Sequence, residues 1–236
     1  MSQPLEYSSY PFNGHDEFCL RAGSHHQKTI LFIPPLFDEM NRVRRMIVGT
    51  MRLLNEHAIG SILPDLPGTN ESLFPLEQAS LTIWRNALAH CAEPLAKQLY
   101  VASFRGGCLI DDFAVESRKW RLAPAKGPGL LRTMMRTRMA SDKEAGLATD
   151  MTQLAEEAQR GHVNLAGNHI GPKMFAELQD TVPMSSGSIR TAQLTNSNQA
   201  ADVKLSGSAL WLRAEPDDDP QLAKAIADDL LSWVAQ

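Results

Sequence analysis

The segment Leu99-Tyr100-Val101-Ala102-Ser103-Phe104-Arg105-Gly106-Gly107 constrains this chain more than any other. A short apolar run leads into a tight turn, and two glycines open the helix expected after it. Small residues two places before and after the tip, here Ser103 and Gly107, let a strand reverse sharply into a helix. A turn of this spacing holds a nucleophile at its tip. Here the tip is Arg105, a cation at any accessible pH that cannot attack a carbonyl. Centring the turn on Ser103 supplies a hydroxyl, but it puts Val101 and Arg105 where small residues are needed. In an ordinary strand-to-helix turn Arg105 would simply be solvated.

The rest of the sequence sets the surroundings of that turn. Its 236 residues suffice for one large α/β domain or two small ones, and 43% apolar content is ample for a core. A net charge of −4 provides no general basic field for nucleic acid or an anionic membrane. Cys19, Cys91 and Cys108 are widely spaced, which points to a reducing compartment without a disulfide or zinc framework. The segment Met1 to Tyr7 lacks the features of a signal peptide. No apolar run nears the roughly 18 residues needed to span a bilayer. A cytoplasmic protein without an integral membrane segment is expected.

Continuous apolar runs at Thr29–Ile33, Ile59–Leu63 and Leu99–Ala102 read as strands buried on both faces. Glu17–Ala22 alternates and reads as an earlier strand. Helical spacing covers Glu39–His57 and Leu76–Gln98, and a further helix is expected from the elbow to about Ser117. Trp120–Pro124, Val163–Gly167, Ile189–Leu194 and Ala209–Arg213 read as later strands. Helices are expected at Met151–Gln159, Pro172–Asp180 and Asp219–Val234. This alternation predicts an α/β class, with a mostly parallel sheet covered by helices on both faces. Residues 128–161 break the rhythm and read as a small helical cap, dividing the core into 1–127 and 162–236.

Three motifs carry a resemblance. The elbow, Pro34-Pro35-Leu36-Phe37-Asp38-Glu39-Met40-Asn41 with Arg44-Arg45, and Asp65-Leu66-Pro67-Gly68 with Ser72 together resemble the α/β-hydrolase superfamily. More narrowly they are similar to hydrolase-like proteins associated with exosortase A and exopolysaccharide gene clusters. The branch labelled hydrolase 2 also has an arginine at the elbow tip, and Leu210-Trp211-Leu212-Arg213-Ala214-Glu215 resembles its ending. The resemblance implies an α/β-hydrolase fold with a cap. It also implies a link to exopolysaccharide production or protein sorting.

Catalytic members take oxyanion-hole N–H groups from the loop after the third strand and from the residue after the nucleophile. Leu36 or Phe37, with Gly106, would hold those places here, since Pro34 and Pro35 have no N–H. The acid and base are missing from their expected places. Thr195-Asn196-Ser197-Asn198 follows the strand at Ile189–Leu194, and no histidine occurs after His169. A Ser-His-Asp relay therefore cannot be assembled. The expectation is a degenerate hydrolase acting as a binding or accessory protein. The alternative is an esterase- or thioesterase-type enzyme using Ser103, or a base such as His169.

A cation at a helix start is disfavoured by the helix dipole, so an anion is expected beside Arg105. Asp38, Glu39 and Glu215 are the candidates. Either an internal salt bridge locks the loops, or Arg105 with the Gly106 N–H holds an anionic ligand. Asp65 is expected to accept local backbone hydrogen bonds. Arg42, Arg44 and Arg45 form a basic cluster, read as a solvated face or a binding patch, with Arg44 or Arg45 as a partner for Asp38 or Asp65. Cys108 is expected to pack against the sheet. Methionines and arginines mix in the cap, which reads as a lid, an acyl-chain site or a homodimer face. No metal-ligand spacing and no cofactor motif is found; His25-His26 has no partner at metal spacing.

Overall fold

The apolar runs become the centre of one sheet. The structure is a computed structural model describing residues 4–95 and 99–236. The core strands are β1 (Glu6–Phe12), β2 (His15–Ala22), β3 (Lys28–Ile33), β4 (Ile59–Pro64), β5 (Leu99–Phe104), β6 (Arg118–Leu122), β9 (Ile189–Leu194) and β10 (Val203–Leu205). They pair in the order β1-β2-β4-β3-β5-β6-β9-β10, parallel from β4 to β10, with β1 and β2 antiparallel at one edge. This is the mostly parallel α/β sheet expected from the alternation.

Side chains alternate across the sheet and build a core on each face. Ile30 and Phe32 of β3 pack with α1 (Asp38–Glu56) and α6 (Pro220–Ala235). Ile33 and Val101 face the other way, toward α2 (Leu81–Ala92) and the cap. Trp84 of α2 is fully buried and donates its indole N–H to the Pro67 carbonyl at 2.8 Å. That bond ties the loop after β4 to the helix layer. Asp65 differs from expectation. Its Oδ1 accepts from Arg44 at 3.1 Å and Asn70 at 2.7 Å, so it holds α1 through side chains rather than backbone amides.

Several elements depart from the sequence reading. The first strand, β1, joins β2 through Asn13 and Gly14, both at positive φ. The predicted helix Leu76–Gln98 is interrupted. A 3-10 turn spans Leu76–Gln78, and α2 begins only after Ser80, whose side chain accepts from the Ile83 amide. Gln98 lies outside the described residues. No long helix follows the elbow; two 3-10 turns, Arg105–Leu109 and Asp111–Phe113, take its place. Ala209–Arg213 is not the last strand. A 3-10 turn occupies Leu210–Leu212, and β10 supplies the edge.

The off-sheet insertion also runs longer than 128–161. It comprises α3 (Gly127–Glu144), α4 (Met151–Arg160), a hairpin of β7 (Val163–Leu165) with β8 (Asn168–Ile170), and α5 (Pro172–Asp180). Val163–Gly167 therefore does not rejoin the core sheet; β7 pairs with β8 alone. Met134, Met135 and Leu130 of α3 are buried against the α2-side core, so the methionines of this helix hold the cap down. Among the described residues no helix is long and apolar enough to cross a membrane.

Candidate functional site

Arg105 stands at the tip between β5 and the following 3-10 turn, with φ of 53°, a left-handed conformation that costs a side-chain-bearing residue energy. The bend is tight. A Cβ at Gly107 would collide with the Pro34 carbonyl, so only glycine lets the turn press on the loop after β3. At Gly106 a Cβ would sit 2.7 Å from Leu130 Cδ1 and 3.0 Å from Leu36 Cγ. Leu36 from the loop and Leu130 from the cap thus close over the residue after the tip.

Three elements hold the guanidinium. Glu39, in the first turn of α1, accepts from Nε at 3.1 Å and from Nη2 at 3.0 Å in a bidentate pair. The Ala123 carbonyl, just past β6, accepts from Nη1 at 3.1 Å. The Trp211 ring lies 4.9 Å from Cζ. Of the three expected anions, only Glu39 pairs with the elbow. Asp38 accepts from the Asn168 amide of the cap hairpin at 3.3 Å. Glu215 is exposed and neither bonds to Arg105 nor lines the cavity above it. The reason is local: the 3-10 turn at 210–212 brings Trp211, not Glu215, over the elbow.

Above the pair lies a cavity of about 660 Å³ between α3 and the core. Phe37, Leu36, Leu130, Met134 and Trp211 form apolar walls, with Asp38, Glu39, Arg42, Arg105 and Lys126 as its charged groups. Phe37 has φ of 59° and ψ of −142°, and Ala166, which also lines the cavity, has φ of 54°. A smaller hollow of about 160 Å³ lies beyond Phe37 and Asp38, which line both. A larger one, about 940 Å³, opens at the far end of the sheet. Its cations are spent there: Lys28 donates to the Val234 carbonyl and Arg118 to that of Trp233.

Ser103 is fully buried beneath the elbow. Its hydroxyl donates to Asp111 Oδ2 at 2.7 Å. The same carboxylate accepts two bonds from Arg121, at 2.7 and 2.6 Å, and Arg121 also donates to the Met184 carbonyl. Arg121 neighbours Ser103 across β5 and β6, which explains how strand register assembles this cluster. The Cys108 thiol sits 3.3 Å from Ser103 Oγ, and burial, helped by the Asp111 charge, pushes it up to about 12. Neither group lines the cavity. His169 is exposed on β8, its ring 5.6 Å from that of His162, and it does not reach the elbow cavity either.

Sequence reasoning missed Trp211, the Ala123 carbonyl and the Asp111–Arg121 pair. Trp211 was legible only as part of an ending motif. The Asp111–Arg121 pair required the cross-strand register, which one-dimensional spacing does not encode.

No protein-family model matches the chain, and no curated protein matches it in sequence. Solved structures do. Est1E from Butyrivibrio proteoclasticus, bound to ferulic acid, superposes with a TM-score of 0.60 at 13% identity, covering 97% of this chain and 100% of that one. An epoxide hydrolase from Vigna radiata gives a TM-score of 0.42 at 12% identity over 50% of this chain. A serine hydrolase from Cycloclasticus zankles gives 0.44 at 15% over 52%. The match spans 38% of the length of the Vigna radiata enzyme and 46% of the Cycloclasticus one, so these two carry no further weight. The sheet order and the full-length likeness to Est1E establish the α/β-hydrolase fold.

Proposed function

We propose that this protein is a non-hydrolytic α/β-hydrolase-fold protein that binds a small molecule in the cavity over Arg105 and acts as a binding or accessory protein. One observation carries the reading: the nucleophile position is an arginine whose charge is already committed to Glu39. A residue so held offers no lone pair to a carbonyl and no free charge to a bound anion. The serine alternative is disfavoured by burial. Ser103 Oγ is shielded and faces a carboxylate that Arg121 also engages, with no imidazole among its partners. The remaining elements suit a socket. Leu36 and Phe37 line it, with Leu36 and Leu130 covering Gly106, and Arg105 with Glu39 forms a fixed polar base beside it.

The proline-proline segment and the arginine-tipped elbow support a place in exopolysaccharide or exosortase-linked systems inside the cell. The test is labelling with a fluorophosphonate probe alongside hydrolysis of p-nitrophenyl esters. Neither labelling nor turnover is expected. Labelling that disappears in Ser103→Ala would overturn the reading in favour of an esterase-type enzyme.

A further inference from the structure

Charge around the cavity is not balanced evenly. Five charged side chains line it: Asp38, Glu39, Arg42, Arg105 and Lys126. Glu39 and Arg105 neutralise each other. Asp38 takes the Asn168 amide and stands on the wall shared with the smaller hollow. The amide does not neutralise Asp38, so with Arg42 and Lys126 the lining carries one net positive charge. Arg42 gives one N–H to the Trp211 carbonyl at 3.2 Å, which fixes its head at the Trp211 side. Lys126 is exposed and immediately precedes α3, whose first turn contains no acidic residue. Among the described residues neither cation has a carboxylate oxygen within 4.0 Å. Arg42 and Lys126, neither paired with a carboxylate, therefore give a net positive lining to a cavity walled by Leu36, Phe37, Leu130, Met134 and Trp211, with Thr133, Thr137 and Gln199 as further polar groups.

From this we infer that the cavity selects an anionic amphiphile: an apolar chain or ring system held by those walls, ending in a carboxylate or phosphate monoester. Arg42 and Lys126 read the head group, and Arg105 does not. This inference rests on the binding role proposed above. An anion gains from an arginine only where guanidinium N–H groups remain free. Arg105 has a bond from each of its three nitrogens, within 3.1 Å of a protein acceptor, which leaves two of its five N–H groups free, but its charge is already paired with Glu39. Displacing Glu39 would leave that carboxylate unpaired in a half-closed site, which opposes binding there. Arg42 and Lys126 impose no such exchange. A cavity of this volume, with apolar walls and several polar groups among them, is in the range that encloses small organic ligands.

The test is calorimetric titration of the full chain with decanoate, decyl phosphate and decanol at low salt. At least one of the two anions is expected to bind about tenfold more tightly than decanol, about 1.4 kcal/mol. Which anion is favoured identifies the head group. The anion-to-decanol affinity ratio should fall roughly threefold or more in Lys126→Gln and in Arg42→Gln, and shrink in half-molar salt. Arg42→Lys should retain most of it, which guards against a disturbed Trp211 turn. Because Lys126 is exposed, Lys126→Gln tests the idea without risk to the fold. If decanol binds as well as both anions, or the ratio ignores both substitutions, the head-group inference is overturned while the cavity stands. If none of the three binds, the binding role falls with it.

Discussion

Replacing Glu39 by glutamine tests whether the elbow is locked. The substitution keeps the shape of the side chain and removes its charge. One of the two oxygens facing Arg105 becomes an NH₂ group, which repels a guanidinium donor. An exposed ion pair contributes about 0–1 kcal/mol, whereas unpairing a buried one costs about 3–5 kcal/mol. The Arg105 and Glu39 side chains are 19% and 16% exposed and the contact is bidentate, so the pair lies nearer the buried limit. A loss of about 2–3 kcal/mol follows. For a chain of this size each kcal/mol moves the melting temperature by roughly 2–4 °C, so a fall of about 4–12 °C is expected. Thermal and urea unfolding of Glu39→Gln, Arg105→Gln and the double variant closes a cycle. The double variant should lose at least about 1.5 kcal/mol less than the sum of the singles. Additivity within about 0.5 kcal/mol would show that the two side chains do not stabilise each other, and the lock would be refuted.

Asp111→Asn should cost about 3–5 kcal/mol in urea unfolding, because it strands the Arg121 guanidinium, whose side chain is 5% exposed. Ser103→Ala removes one hydroxyl bond and should cost only about 1–2 kcal/mol, with Asp111 and Arg121 still paired. Glu17→Gln should raise the melting temperature at pH 7. Burial raises the Glu17 carboxyl pKa and neither oxygen has a hydrogen-bond partner, so the folded state favours the proton; the gain should vanish below about pH 4. Asp219 behaves oppositely. Burial alone would raise it, but the Leu222 and Ser208 amides hold it below the ordinary carboxylate range. Its contribution is present above about pH 4 and is lost as pH falls through the folded value, so Asp219→Ala should flatten that part of the acid-stability curve.

The central strands were legible because β3, β4 and β5 are covered on both faces, so their burial is written as unbroken apolar runs. The first strand was not, because Ser8, Ser9 and Pro11 dilute its pattern at the sheet edge. The Asn13-Gly14 pair, which favours the positive φ of a two-residue hairpin, was the signal available for it. The end of the cap was misread for a related reason. Val163-Asn164-Leu165 has strand composition, and composition does not say which sheet a strand joins. At the site, Glu39 was within reach of sequence reasoning because it opens the helix after the expected oxyanion loop. Glu215 was misplaced because its location depended on a strand at 209–213. The chain turns at Leu210–Leu212 instead, and a turn redirects every side chain after it.

Backbone strain gathers around the same cavity. Phe37, Arg105 and Ala166 line it in left-handed conformations, and Ala123, with φ of 45°, gives its carbonyl to Arg105. Each such residue costs about 1–3 kcal/mol unless its surroundings hold it. A glycine at the tip would carry much less of that cost. Arg105 offsets it by joining α1 through Glu39, the end of β6 through Ala123, and the 210–212 turn through Trp211. The bonds that fix the tip therefore also fix three walls of the cavity relative to one another. The Arg105 side chain is thus spent on shape. The cavity is consequently held open by the fold itself, so under the proposed binding role a ligand would meet a preformed site at little cost in reorganisation of the protein.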